Sequence, residues 1–506
     1  RDAQESRGLG DVYKRQCSDN APLLVSKAKK VYIVLEDGTE NVLTDSASYS
    51  LGEDDSNTDG AIFSKADLTI NGSGTLTVNA NYKHGIVSKD DLVITDGNIN
   101  VTSASTAMEG KDSVKISGGT FNISAGTNGI KSTNTEASDK GFISVTGGSF
   151  TVVANNDAFE AETVLSIEGG SFDITTGGGS ANASMKSDGT PNRNWQNNMS
   201  NGGGGPNGMG RPDDNGNGMG GDPPAMPTAD DTGLTIETAA NTTTDSTDTT
   251  DNTSTSAKAL KAGNEVNISG GEFKIDSADD SVHSNGNIVI TGGNISVASG
   301  DNGMHANGNL TISDGTVDIT KSYEGIEGSI VTIDGGTISV VASDDGINCA
   351  GGSDTGSTDR MGADQFSSQD GVELNINGGT VTIDADGDGL DSNGNFTMAG
   401  GTVCVCGPTN SGNDALDYNG TATVTGGTLI ACGAVGMEEG FGDNSTQYSV
   451  LHDLGSTVSA NEKLTITDSD GKEILSFTPK KTWQSVVFTS ADLKEGETYT
   501  LSLIHI

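Results

Sequence analysis

The sequence has few prolines, few aromatic residues and few basic residues, and each scarcity narrows the possible classes of protein. Of its 506 residues, 9 are proline, 4% are aromatic, and 27 are lysine or arginine against 70 aspartate or glutamate. The formal charge of −43 disfavours nucleic acid and anionic membranes as partners, because both require a basic protein surface. An acidic polymer could bind this chain only through bridging cations.

Cysteine and long apolar runs are also scarce. The five cysteines include no C-x-x-C pair, so they do not predict a zinc site. Cys406 and Cys432 fall at equivalent positions one repeat apart, where parallel side chains would strain a disulfide, and free thiols are therefore expected. No apolar run approaches 18 residues, and no membrane-spanning segment is predicted.

Glycine, by contrast, is abundant at 73 residues, and it recurs at a regular interval. A Gly-Gly or Asp-Gly corner follows each short apolar strand, most often 22 residues after the previous one. Self-similarity at this period is the sequence sign of a solenoid. The last glycine of each corner falls at positions 74, 97, 119, 148, 170, 271, 293, 315, 336, 379, 401 and 427.

Apolar and polar residues alternate between these corners, which is typical of short β-strands. Three such strands per repeat predict an all-β fold, a single-stranded parallel β-helix of about twelve coils over residues 58–440. Equivalent positions should stack, so Ile295, Val317, Ile338 and Val381 are expected in one inward column. A chain that is only 32% hydrophobic can still form a core because its apolar residues are aligned.

The other segments depart from the repeat. Residues 17–57 read as an N-terminal β segment, 178–260 as a low-complexity loop inserted into the helix, and 441–500 as a small C-terminal β cap or module. Residues 1–16 and 501–506 are typical of translated adapter sequence, so we expect both ends to be non-native and set them aside from the fold. A signal peptide is expected to be missing from this sequence.

Two polar columns accompany a short strand of the form Asp-Gly-Ile-x. The first column holds, coil by coil, His84, Thr106, Asn128, Asp157, Ala183, Asp280, Asn302, Glu324, Asp345, Asp388, Asp414 and Val435. The second holds Val87, Glu109, Lys131, Glu160, Lys186, His283, His305, Glu327, Asn348, Asp391, Asp417 and Glu438. In-register stacking would place neighbours in a column about 4.8 Å apart.

Stacked carboxylates at that distance repel by roughly 3–4 kcal/mol at an effective dielectric of 20, unless cations lie between them. Calcium suits such a cluster because it takes six to eight oxygen ligands in irregular geometry. An EF-hand does not fit, since its twelfth position would be Asn395 rather than glutamate. The competing interpretation is that Asp-Gly only forms the corners. The predicted metal ligands are Asp384, Asp386, Asp388, Asp391, Asp414 and Asp417.

His283 and His305 fall in adjacent coils, where a solvated pair is favoured over a transition-metal site. Aromatic residues that could stack on sugars are few, namely Tyr82, Trp195, Tyr323 and Tyr418. The predicted carbohydrate-binding residues are Asp280, His283, Asn302, His305, Tyr323, Glu324, Glu327, Asp345, Asn348 and Tyr418.

Several blocks resemble a bacterial family of cellulose- and acidic-sugar-binding β-helix proteins, the carbohydrate-binding domain-containing proteins. The matching blocks are Ser64-Lys-Ala-Asp-Leu-Thr-Ile-Asn-Gly-Ser-Gly-Thr-Leu-Thr-Val, Lys321-Ser-Tyr-Glu-Gly-Ile-Glu-Gly, Val341-Ala-Ser-Asp-Asp-Gly-Ile-Asn, Asp388-Gly-Leu-Asp-Ser-Asn-Gly and Ser445-Thr-Gln-Tyr-Ser-Val-Leu. The likeness covers about residues 18–500. It implies a secreted, calcium-bearing, right-handed β-helix, located outside the cell or at its surface, that binds plant-wall polysaccharide.

Three functions follow from these observations. The first is calcium-assisted, non-catalytic binding of polysaccharide, either an acidic one such as polygalacturonate or cellulose, by a monomer with no catalytic residues. The second is a calcium-dependent pectate lyase, which would need a lysine or arginine to take a proton. Lys131 and Lys186 interrupt the second column, but no dense acid cluster flanks either. The third is a cell-surface adhesin.

Overall fold

The structure, a computed structural model, describes residues 12–51, 57–183, 256–350 and 368–504. They form β-strands almost throughout, with one short 3₁₀ turn at Ser180–Asn182. Among these residues no helix is long and apolar enough to cross a membrane. Trp195 and Lys186 lie outside the described residues, as does most of the 178–260 insertion.

Successive strands fall on three faces, and each strand pairs in parallel with its equivalent one repeat later. One face is a long-strand sheet. Its strands, in sheet order, are Val12–Gln16, Glu40–Thr44, Thr75–Ala80, Asn98–Ser103, Thr120–Ala125, Ser149–Ala154, Ser171–Thr176, Glu272–Ser277, Asn294–Ser299, Thr316–Lys321, Thr337–Ala342, Thr380–Ala385, Thr402–Cys406, Thr428–Gly433, Trp483–Thr489 and Ser449–Val458.

The short strands form the second face, which we call the ladder face. It comprises Leu23–Val25, Gly60–Ser64, His84–Ser88, Met108–Gly110, Ile130–Ser132, Phe159–Ala161, Leu260–Ala262, Val282–Ser284, the first part of Met304–Ile312 and of Ile326–Ile333, Ile347–Cys349, Leu390–Ser392 and Leu416–Tyr418. The third face comprises Lys30–Leu35, Asp67–Gly72, Asp91–Ile94, Ser113–Ile116, Phe142–Val145, Val164–Ile167, Glu265–Ile268, Asn287–Ile290, the second part of the same two long strands, Glu373–Ile376, Asn395–Met398 and Ala422–Val424.

The glycine corners follow the repeat with one exception. The predicted corner glycines from Gly97 to Gly427 all adopt positive φ, between 79° and 127°, a region that side chains with a Cβ rarely enter. At the first corner the positive φ belongs to Gly72 instead of Gly74. A Cβ on Gly72 would lie 2.1 Å from the carbonyl oxygen of Leu35, so glycine is required there.

The core forms as aligned columns, as predicted. Ile295 pairs with Val317, Val317 with Ile338, and Ile338 with Val381, and each side chain is at most 1% exposed. In the four coils that directly precede Ile295 the same column is aromatic, and its rings stack at 4.5–4.8 Å. Those rings are Phe121, Phe150, Phe172 and Phe273.

At the C-terminal end the pairing becomes antiparallel. Trp483–Thr489 pairs with the last parallel strand of the long-strand sheet and with Ser449–Val458. A separate three-stranded sheet contains Lys463–Thr467, Glu473–Phe477 and Thr500–Ile504. Trp483, 2% exposed, packs in a second apolar cluster under these strands. This module covers one open end of the long-strand sheet, which would otherwise expose unpaired backbone groups.

The chain ends that the sequence analysis set aside from the fold take part in it. Val12–Gln16 pairs in parallel with Glu40–Thr44, and Thr500–Ile504 pairs antiparallel with Lys463–Thr467. Excluding these strands from the fold was wrong, because a sheet edge can accept any extended segment through backbone hydrogen bonds alone. Their non-native origin stays a prediction.

Candidate functional site

Both polar columns exist on the ladder face and are continuous. Backbone pairing aligns the second column from Glu109 to Asp417 without a break. The first column stacks beside it, where each small residue donates its N–H to a first-column carbonyl one coil later. Because the strands pair in register, the two columns bring together residues that are more than 20 positions apart in the sequence.

One coil differs from its predicted content. The coil after Asp157 and Glu160 contributes Lys258 and Lys261, not Ala183 and Lys186. The prediction was wrong because it placed this coil before the inserted segment. The structure resumes the repeat afterwards, at Leu260–Ala262, since backbone pairing requires a strand and not a fixed count of residues.

These lysines neutralise acids on both sides. Lys258 Nζ lies 2.8 Å from an oxygen of Asp280 and 2.9 Å from one of Asp279. Lys261 Nζ lies 3.0 Å from Asp157 and 3.7 Å from Glu160. Burial opposes the charge on both lysines, but these carboxylates raise the pKa of each ammonium above its usual value.

First-column carboxylates also bind the backbone of the next coil. The Lys258 N–H donates to Asp157 at 2.9 Å, and the Asn302 N–H donates to Asp280 at 3.1 Å. The same bond joins the Asp388 N–H to Asp345 at 2.6 Å. The interpretation of these aspartates as structural corner residues is thus correct for one oxygen of each. The second oxygen contacts Lys261 in Asp157 and Lys258 in Asp280.

An acidic cluster forms further along the ladder face, beyond the histidine and glutamate coils. One oxygen each from Asp345, Asp388 and Asp391 lies within 4.8 Å of the other two, and all three residues are partly exposed. Asp391 pairs with Asp417 in the next coil. The Asp414 N–H donates to Asp388, and Asp414 in turn accepts the N–H of Glu439.

Burial and mutual repulsion oppose ionisation of this cluster. Burial raises the pKa of Asp388 to about 7 and that of Asp414 to about 7. Burial and the neighbouring carboxylates raise the pKa of Asp345 and of Asp391 well above the usual value, and burial raises that of Asp417. The charged groups acting on Asp345 and Asp391 are all acidic, so a cation would relieve their repulsion.

Two predicted metal ligands lie elsewhere. Asp384 belongs to Thr380–Ala385 of the long-strand sheet, and Asp386 follows that strand. Lys481 Nζ lies 3.2 Å from Asp384 and 3.1 Å from Asp386, while Lys480 Nζ lies 3.7 Å from Asp384. Assigning these two aspartates to the cluster was wrong because the intervening corner turns them onto another face, where they hold the C-terminal module.

The histidine pair is buried, contrary to the expected solvated pair. His283 is 3% and His305 is 1% exposed, and their ring centroids are 5.1 Å apart. His283 Nδ1 lies 2.8 Å from Asp280, and His305 Nδ1 lies 2.8 Å from Glu327. Neighbouring coils cover these rings, an effect that a single repeat does not reveal.

The remaining predicted ladder residues connect the histidines to the acidic cluster. The Asn348 amide nitrogen donates to Glu324 at 3.2 Å, and both residues are buried. Burial and the charge of Glu327 raise the pKa of Glu324 well above its usual value. Asn302 donates to Glu327 through its side-chain amide. These largely buried residues therefore continue the polar columns from the histidines to Asp391, which pairs with Asn348 through the backbone.

Of the predicted sugar-stacking tyrosines, one is unsuited to the role. Tyr418 pairs with Ser392 at an inward-facing position, packs against the core and donates its hydroxyl to the Gly440 carbonyl at 2.6 Å. It is therefore structural. Tyr323 is partly exposed beside the ladder, and Tyr82 stacks on Tyr49 with centroids 4.3 Å apart.

Comparison with known proteins gives consistent matches. A protein from Acetivibrio thermocellus described as a carbohydrate-binding domain-containing protein is 48% identical over 83 residues, 16% of this chain; the chain spans only 29% of that relative's length. A solved structure of a polysaccharide lyase-like protein from C. thermocellum, a gadolinium derivative, is 40% identical, with a TM-score of 0.33, over 34% of this chain and 69% of the other. The family model for carbohydrate-binding domain-containing proteins matches residues 14–303 and 304–415, most of the sequence, and the chain accordingly belongs to that family.

Proposed function

We propose that this protein binds acidic plant-wall polysaccharide without cleaving it, through calcium held on the ladder face by Asp345, Asp388 and Asp391. The supporting observation is the convergence of three carboxylate oxygens within 4.8 Å in a chain of net charge −43. Such a surface repels a uronate polymer unless a cation bridges the two. A right-handed β-helix of about twelve coils, secreted and monomeric, completes the proposal.

Calcium fits the available donors. Asp345 and Asp388 each have one oxygen engaged by a backbone N–H, that of Asp388 and of Asp414 respectively, and offer the other. Asp391 and Asp417 add second-column carboxylates. Calcium accepts such irregular sets of oxygen ligands and retains open positions for a sugar carboxylate, whereas magnesium demands a tight octahedron and keeps its waters.

Binding to polygalacturonate should depend on calcium and on this cluster. With calcium, the protein should co-sediment with polygalacturonate, and EGTA should abolish the association. Asp388→Asn with Asp391→Asn should weaken binding at least about tenfold, because two anionic ligands are lost. Calorimetry on soluble oligogalacturonate would give the affinities.

A matched control comes from the same sequence segment. Asp384→Asn with Asp386→Asn removes two carboxylates that contact Lys481 on another face, and it should leave binding unchanged. Retention of binding in EGTA, or equal losses in both double variants, would overturn calcium bridging at the ladder face. Chelator-resistant binding to cellulose alone would point to a neutral-sugar surface instead.

Pectate lyase activity is the alternative, and the ladder lysines are poor proton acceptors. A lyase needs a neutral base near calcium to remove the proton α to the uronate carboxyl. Acids raise the pKa of Lys258 and Lys261, which keeps both protonated, and Lys131 Nζ lies 2.8 Å from Glu160. These contacts favour a structural role.

We therefore expect no unsaturated uronide product when the protein is incubated with pectate and calcium. The ultraviolet absorbance of the double bond in an unsaturated uronide measures product formation directly. Product that disappears in Lys261→Ala but persists in Lys463→Ala, a control in the C-terminal module, would establish the lyase function and contradict the proposal.

A further inference from the structure

We infer that the buried histidine pair forms a second, separate metal site, suited to a transition ion such as zinc: Asp280, His283, His305 and Glu327 hold the donor atoms. Nitrogen donors distinguish it from the calcium cluster, whose donors are oxygens. One donor atom each from Asp280, His283 and His305 lies within 4.8 Å of the others. Neutral imidazole and carboxylate are ligands that zinc prefers.

Hydrogen bonds orient the two imidazoles. His283 Nε2 lies 2.9 Å from the Asn285 amide oxygen, and His305 Nε2 lies 2.9 Å from that of Asn307. An amide oxygen only accepts, so each Nε2 carries the hydrogen and donates. In a neutral ring the lone pair is then on Nδ1. Histidines that bind metals are commonly oriented in this way, by a hydrogen bond from the ring nitrogen that does not bind the metal.

Both Nδ1 atoms then face negative oxygen. His283 Nδ1 lies 2.8 Å from Asp280, and His305 Nδ1 lies 2.8 Å from Glu327. A lone pair and a carboxylate at this distance repel unless a positive centre lies between them. The Asn302 amide nitrogen also approaches His305 Nδ1, at 3.2 Å, which fits an Nδ1 that accepts. A metal ion can satisfy both contacts at once.

The two carboxylates differ in their other contacts. Glu327 accepts a hydrogen bond from the side-chain amide of Asn302. Asp280 would share its charge with Lys258, which lies 2.8 Å away, and is therefore the weakest of the four ligands.

The geometry requires little rearrangement. Two ligands at zinc distances of about 2.0–2.2 Å lie at most about 4 Å apart, so a contraction of roughly 1 Å would bring the donors of Asp280, His283 and His305 into range. Glu327 adjoins this set through His305 Nδ1, 2.8 Å away. Glu327 retains 17% side-chain exposure and provides the access route, whereas the histidines and Asp280 are almost fully covered. An ion held there would be shielded from solvent.

Titration calorimetry with zinc chloride on the full chain tests this inference. The protein is first stripped with EDTA, exchanged into chelator-free buffer, and saturated with calcium so that the acidic cluster is filled. We expect one zinc equivalent, and we expect His283→Gln with His305→Gln to weaken binding at least tenfold. His452→Gln, an exposed control histidine, should change nothing.

Two further variants separate the possible outcomes. Glu327→Gln keeps the side-chain shape and should also weaken zinc binding, so the result does not depend on folding of the double variant. Asp388→Asn with Asp391→Asn should retain zinc, which separates this site from the calcium proposal. The inference would be overturned if the titration with zinc released no heat, or if the double histidine variant and Glu327→Gln both still bound zinc as the parent does. Protons on the histidines would then be the positive charges between the rings and the carboxylates.

Discussion

The calcium-free protein should lose stability as the pH rises from about 4 to 8, and calcium should restore it. Folding raises the pKa of Asp388 and Asp414 to about 7 from the value near 4 of an unfolded chain. A carboxyl with a raised folded pKa binds its proton more tightly in the native state. Its contribution is therefore complete below about pH 4 and is lost as the pH rises through 7.

The expected magnitude is large. A shift of about three pKa units corresponds to roughly 4 kcal/mol for one group, an upper bound for a coupled cluster. Calcium replaces the protons, and a ligand at one hundred times its Kd stabilises the native state by about 2.7 kcal/mol. Thermal melts at pH 5 and pH 8, with calcium or EGTA, would measure the difference.

The variants sharpen this result. Asp388→Asn with Asp414→Asn should flatten the pH dependence and reduce the calcium response, because neither amide titrates. The control Asp384→Asn with Asp386→Asn should behave as the parent. A calcium-free melting temperature that rises between pH 5 and 8, or a double variant that responds to calcium as the parent does, would show that the aspartates act only as corner residues.

Replacing Phe150 with alanine should destabilise the protein by about 3–5 kcal/mol, the usual cost of removing a buried aromatic side chain. Phe150 is 1% exposed, and its ring lies between those of Phe121 and Phe172, at centroid distances of 4.6 and 4.8 Å. Its loss removes two stacked contacts, each worth roughly 0.5–1.5 kcal/mol beyond burial.

The same strand provides the control. Val153 is 49% exposed on Ser149–Ala154, and Val153→Ala should change stability by no more than about 0.5 kcal/mol. Urea unfolding followed by circular dichroism would compare the two variants. Because each coil contacts only its neighbours, Phe150→Ala could unfold in two steps. Equal midpoints for both variants would contradict a continuous aromatic column.

The fold was predictable to the extent that the repeat expresses local chemistry. Corner glycines recur because the backbone there needs positive φ, as at Gly293. Inward residues such as Ile295 and Val317 recur because equivalent positions in parallel strands stack. The antiparallel C-terminal module has no repeat, and its pairing with the last parallel strand could not be assigned from periodicity.

The candidate site was predictable only in part. Column membership of Asp388, Asp391, Asp414 and Asp417 followed from spacing, and the structure stacks them accordingly. Their sequence neighbour Asp384 was misplaced, because a corner between two aspartates separates them onto different faces. Sequence proximity is thus a poor guide where a strand ends, whereas distance counted in whole repeats is a good one.

The sequence by itself determined the parallel repeat, its corners and the two polar columns, since each depends on residue type at a fixed interval. Only the tertiary structure decided which coil follows the insertion, and so placed Lys258 and Lys261 between two groups of acids. It also buried the His283–His305 pair. Both outcomes depend on backbone hydrogen bonds and burial between neighbouring coils, which act across any length of intervening chain and leave no local pattern.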